Sequence, residues 1–131
     1  MNHIRFHRPY RGTTEVGQIL SITLLLQDDV GGLQLQKDDG TWLDYIPVEG
    51  AVVINTGDLM AHWTNDRYPS TVHRVLPRTQ VRDRYSIAFF VDPDGDVAVN
   101  CLDSCVSTTK PPRYENTTAG EHIQRKISAT H

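Results

Sequence analysis

The sequence predicts a mainly β domain, an antiparallel sandwich or barrel finished by one C-terminal helix. Three observations predict it. Val, Ile and Thr make up 33 of the 131 residues, and branched side chains suit a pleated surface but lose freedom in a helix. About seven short apolar or alternating segments are separated by Gly, Pro, Asp and Asn clusters. Finally, Thr118 and Glu121 have the spacing of a capping box, in which each side chain satisfies an orphan backbone N–H at a helix start.

The elements follow in order. Ile4–His7 reads as a short strand, and Arg8–Gln18, with Pro9, Gly12 and Gly17, as a loop. Ile19–Leu26 is a strong strand whose near-continuous apolarity predicts burial on both faces. A turn at Gln27–Gly32 leads into Leu33–Lys37, which alternates with period two as a half-buried strand does. Asp38-Asp39-Gly40 marks a tight hairpin with Thr41–Ile46 returning. Ala51–Asn55 is a further buried strand, and Gly57–Trp63 suits one or two helical turns. Thr71–Leu76 and Tyr85–Val91 are strands, and Ser107–Glu115 is irregular around Pro111-Pro112. Ala119–Ala129 reads as a helix with Ile123 and Ile127 one turn apart on one face.

Composition limits the function classes. Thirteen basic against sixteen acidic residues give a net charge of −3, which excludes a strongly basic nucleic-acid or membrane-surface protein. No apolar run is long enough to span a membrane. The polar, basic start is unlike a secretory signal, so the expected compartment is cytoplasmic. The length fits one domain over 1–131. Cys101 and Cys105 are too few for a disulfide scaffold and read as free thiols in a loop.

The informative block is Asn55–Phe90. It holds Asn55-Thr56-Gly57-Asp58, Trp63-Thr64-Asn65, Ser70 to Val75 with His73-Arg74, and Arg84-Tyr85-Ser86. Each piece alone is unspecific, since a lone histidine in a strand is usually structural. Residues two apart on a strand project to one face, so Arg84 and Ser86 can converge on one ligand. A guanidinium grips a carboxylate through two parallel hydrogen bonds, and a hydroxyl adds a third donor.

In order and spacing these pieces resemble the C-terminal catalytic half of the iron(II)/2-oxoglutarate-dependent dioxygenases of the isopenicillin N synthase-like group. Thr23 to Asp28 with Gly31 to Gln34 extends the resemblance upstream. It implies a double-stranded β-helix, or jelly roll. It also implies iron(II) held by two histidines and a carboxylate on one face of the metal, with 2-oxoglutarate as co-substrate. His73 matches the distal histidine ligand. Arg84 and Ser86 match the Arg-x-Ser motif that holds the distal carboxylate of 2-oxoglutarate. Asn55 and Asp58 match a motif read as structural, fixing the turn after a core strand. The implied reaction oxidises a small organic substrate with release of succinate and CO2. The implied partner is that small molecule, without nucleic acid or membrane.

One departure outweighs the matches. The family carries His-x-Asp or His-x-Glu just before the strand that here reads Ser21 to Leu26, and that pair supplies the other two ligands. Here the chain runs Gly17-Gln18-Ile19-Leu20-Ser21, with no such pair upstream. A short internal deletion near residues 18–21 is the simplest account. Family members carry a helical region before this half, and here Met1 stands almost directly before it; the expected jelly roll is an incomplete one. His3, His7 and Glu15 are the upstream candidates for replacement ligands, and each also reads as an ordinary polar residue. His62 and Asp58 have i,i+4 spacing on the short helix, with His62 expected at the surface. His122 and His131 have no motif support. The expectation is a catalytically impaired dioxygenase-like domain. The alternatives are a non-catalytic dicarboxylate-binding module, or a truncated product without activity.

Overall fold

The computed structural model describes residues 21–76 and 82–129 in full and the backbone of residues 3–7 and 14–16. Eight strands form two antiparallel four-stranded sheets. They are β1 (His3–His7), β2 (Thr14–Val16), β3 (Ile22–Gln27), β4 (Leu33–Gln36), β5 (Trp42–Asp44), β6 (Val53–Thr56), β7 (His73–Val75) and β8 (Ser86–Val91). One sheet has the order β1-β8-β3-β6 and the other β2-β7-β4-β5. Except for the β4–β5 hairpin, successive strands change sheet, so the chain winds between two layers as a jelly roll does. The departure near Gln18–Ser21 falls in the β2–β3 connection, so any shortfall belongs there.

The loop expected over Arg8–Gln18 contains a strand, because Thr14 to Val16 pairs with β7 in the register Glu15↔Arg74 and Val16↔His73. The hairpin turn forms as expected, with Gly40 at φ +82°, a conformation that side chains with a Cβ rarely adopt. The expected start of the third strand at Ile19 and Leu20 lies outside the described residues.

Burial on both faces of β3 is overturned. Thr23 is 3% exposed, whereas Leu26 is 47% exposed. The strand Ala51–Asn55, also expected to be buried, forms as β6 with Ile54 at the surface. The cause is the period of two. Register aligns Asn55, Thr23 and Phe90, then Gln27 and Ser86, on the face turned toward the second sheet. Leu24, Ile54 and Phe89, with Leu26 and Ile87, share the opposite face, which the described residues leave open to water. Antiparallel sheets tolerate one wet face.

The most deeply buried apolar cluster lies beside the sheets, at Leu59, Val99 and Ala119, with Trp63 and Ile123 packed on it. It joins α1 (Asp58–Trp63), a two-stranded ribbon of β9 (Ala98–Val99) and β10 (Thr117–Thr118), and α2 (Ala119–Ala129). The ribbon strands, two residues each, carry no sequence period. The predicted capping box is present. Thr118 Oγ1 accepts from the Glu121 N–H at 3.3 Å, and Glu121 Oε2 accepts from the Thr118 N–H at 3.3 Å. Gly120 lies so close to Gly95 that a Cβ there would stand 3.0 Å from the Gly95 carbonyl oxygen. Lys126 pairs with Asp58 at 2.9 Å, tying α2 to α1. Ile123 reaches the cluster, whereas Ile127 stays exposed. No helix of the described residues is long and apolar enough to cross a membrane.

His62, expected at the surface, is buried. Its ring stacks on Tyr114 with centroids 4.8 Å apart and meets the edge of His122 at 6.0 Å. Both Nε2 atoms are buried without a hydrogen-bond partner. Burial holds both imidazoles below the ordinary histidine range. The Arg125 charge adds to this at each, and Asp58 opposes it at His122. The unfolded chain therefore binds more protons than the folded one below about pH 6.5. Stability is full above that pH and falls as pH drops through the folded values. Urea midpoints are expected to decrease from about pH 7.5 to about pH 5.5. A His62→Phe, His122→Leu double variant should show a flatter profile, and an unchanged slope would overturn the assignment.

Candidate carboxylate and metal-binding site

The strand β7 is short, and its alternation separates the two members of the His73-Arg74 pair. Arg74 lies over the Trp42 ring, 3.9 Å from its centroid, and its Nε donates to Gln34 Oε1 at 2.8 Å. His73 occupies the other face, where its Nδ1 lies 3.3 Å from Asn55 Nδ2 and 3.2 Å from the Thr71 carbonyl oxygen. Nδ1 either accepts from Asn55 Nδ2 or donates to the Thr71 carbonyl, and the second arrangement leaves the lone pair on Nε2, the tautomer that a metal ligand coordinating through Nε2 needs. Asn55 was expected to fix the turn after β6. It contacts the His73 ring instead, because Asn55 stands on the β6 face turned toward the second sheet. Asp58 was expected in the same role. It starts α1, where an acidic residue suits the helix dipole, and pairs with Lys126.

Arg84 and Ser86 converge as their spacing predicts, with Arg84 Nη1 donating to Ser86 Oγ at 3.2 Å. The structure adds a residue that the sequence reading placed in a turn. Gln27 ends β3 in register with Ser86, and its Oε1 accepts from Arg84 Nη2 at 2.9 Å. Its signal was available in the alternation of Ser21, Thr23, Leu25 and Gln27, which puts polar residues on one face of an apolar strand. Burial pulls the Arg84 guanidinium below its ordinary range, and the nearby Asp28 charge opposes this. Asp28 itself is engaged by backbone: Oδ1 accepts from Val30 N–H at 3.1 Å and Oδ2 from Tyr85 N–H at 2.5 Å. Among the described residues no carboxylate forms an ion pair with Arg84. Its Nε is buried and unpartnered.

The described residues do not assemble an iron centre. Among the described residues no group of three or more His, Cys, Asp or Glu side chains could hold a metal ion. No histidine anywhere in the sequence is followed two positions later by Asp or Glu. The upstream candidates do not stand opposite His73 in the sheets. Glu15 is in register with Arg74, His7 with Ser86 and His3 with Phe90. His62 and His122 belong to the α1–α2 packing, and His131 lies outside the described residues.

Fold and site together define a jelly-roll domain with a polar cluster of Arg84, Ser86 and Gln27 at one sheet. Residues 2–93 match the family model of the 2OG-Fe(II) oxygenase superfamily. A 2-oxoglutarate-Fe(II) type oxidoreductase, hxnY of Emericella nidulans, is 46% identical over 104 residues, 79% of this chain and 30% of that protein. A full-length Neurospora crassa protein solved in complex with alpha-KG is 36% identical with TM-score 0.81, over 91% of this chain and 37% of its own. The rice dioxygenase for auxin oxidation is 25% identical with TM-score 0.88, over 99% and 47%. The chain belongs to the 2OG-Fe(II) oxygenase superfamily, an oxidoreductase family whose cofactors are iron(II) and 2-oxoglutarate. It spans about a third of the length of hxnY.

Proposed function

We propose that this chain is a catalytically impaired member of the family that keeps a dicarboxylate site and lacks a working iron centre. The whole chain, 1–131, forms the domain, with an internal deletion near residues 18–21. Arg84 and Ser86 take the distal carboxylate of 2-oxoglutarate. His73 is the one remaining iron ligand. The observation that carries the reading is the absence of any His-x-Asp or His-x-Glu pair from a sequence that otherwise keeps the motifs. A single imidazole cannot fix iron, because coordination needs several ligands at set distances and angles. Oxidation of a small organic substrate with release of succinate and CO2 is therefore not expected of this chain. The expected compartment is cytoplasmic.

Turnover tests this directly. With added iron(II) and 2-oxoglutarate, succinate formation is expected to equal the protein-free blank and to be unaffected by His73→Ala. Succinate formation that His73→Ala abolishes would overturn the reading.

A second reading, a non-catalytic dicarboxylate-binding module, is favoured by the half-buried Arg84, whose Nε is buried without a partner and whose guanidinium forms no ion pair with a carboxylate among the described residues. It predicts binding of 2-oxoglutarate that is indifferent to iron and to chelator. A truncated product without activity is the remaining alternative. Sequencing the transcript across Gln18 to Ser21 separates it, since a recovered His-x-Asp segment restores the ordinary enzyme.

A further inference from the structure

We propose that Gln27 is a third donor of the carboxylate site, giving its Nε2–H to the ligand carboxylate beside Arg84 and Ser86. The inference rests on the dicarboxylate reading of Arg84 and Ser86 and adds a residue that this reading does not contain. Amide oxygen and nitrogen are distinguished by their partners. Here the Arg84 Nη2–H can only donate, so Gln27 Oε1 faces the guanidinium at 2.9 Å. The amide nitrogen is thereby turned away from Arg84, and it is buried with no hydrogen-bond partner. Arg84 Nε is in the same condition. Two linked side chains thus each hold an unsatisfied buried donor at one place in the fold. Ser86 stands in register with Gln27 across β3 and β8. A buried donor without an acceptor destabilises the fold, and an acceptor-only group such as a carboxylate relieves it. The acceptor side of Gln27 meanwhile holds the guanidinium plane. One amide therefore both orients Arg84 and extends its row of donors.

Metal-free calorimetry with 2-oxoglutarate and excess chelator tests this on the full chain. The unmodified chain is expected to bind, and Gln27→Leu to bind about tenfold more weakly, the loss of one hydrogen bond to a charged acceptor. Gln27→Glu should bind more weakly still at neutral pH, because its carboxylate occupies Arg84 and repels the ligand. Its affinity should recover as the pH is lowered. If the unmodified chain binds no 2-oxoglutarate, the Arg84–Ser86 reading falls and this inference with it. If it binds and Gln27→Leu binds equally well, only the role of Gln27 falls. Should Gln27→Leu not fold, nitrogen-15 NMR of the unmodified chain decides. The Gln27 side-chain N–H signals are expected to shift on ligand addition, and unmoved signals would overturn the proposal. A purely structural glutamine would lower stability without producing either the pH-recovering Gln27→Glu or the shifted amide.

Discussion

Asn65→Ala is expected to be the most destabilising single substitution in the described part of the chain, costing about 3–5 kcal/mol. Asn65 is fully buried and holds three backbone groups of one long loop. Its Nδ2 donates to the carbonyls of Cys105 at 3.2 Å and Pro111 at 3.1 Å, and its Oδ1 accepts from the Arg113 N–H at 3.0 Å. Alanine orphans all three groups and leaves a void where the carboxamide stood. Alanine would also sit at φ +50°, a left-handed conformation that Asn tolerates better than most residues. Asn65→Gly should therefore be less harmful than Asn65→Ala by about 1 kcal/mol. Asn65→Asp keeps the acceptor for Arg113 but sets an oxygen against two carbonyls, so it should not rescue. A domain of this size has about 5–15 kcal/mol in total, so urea midpoints should shift far enough to rank all three. Equal midpoints for Asn65→Ala and the unmodified chain would refute the clamp.

Asn65 also marks what sequence reading reaches. It stood inside the informative block, yet nothing local shows that its amide closes a loop some 40 residues on. The capping box of α2 was legible because both partners lie within four residues. The strands were legible from period and composition, and β2 was hidden by the glycines and proline around it. Burial on one face of β3 and β6 was not legible, because an apolar strand looks the same whether one face or two are covered. The Arg84–Ser86 pair was legible as a same-face spacing. Gln27 and Asn55 were not assigned to the site, since each acts on a side chain brought in from a distant strand. His62 was misplaced for the same reason: its cover, Tyr114 and His122, comes from beyond residue 110.

Arg84→Met is expected to separate binding from stability. A guanidinium held from water without a paired carboxylate is costly, and its Nε has no partner. The Asp28 charge offsets part of that cost, but the Asp28 oxygens are already bonded to backbone N–H groups. Methionine fills a similar volume with no charge to desolvate. The ligand-free Arg84→Met chain should therefore match or exceed the unmodified chain in urea resistance. Its 2-oxoglutarate affinity should fall by about 100-fold or more, the loss expected for a buried charge-assisted hydrogen bond. Adding 2-oxoglutarate should raise the unfolding midpoint of the unmodified chain and leave that of Arg84→Met unchanged. A structural arginine would give the opposite pair of results, with lower stability and no ligand-dependent difference. Retained binding in a stable Arg84→Met would remove the carboxylate site from this chain. The expected pair instead identifies Arg84 as a cation kept half-buried at a cost to the fold, with an anion as the group that offsets it.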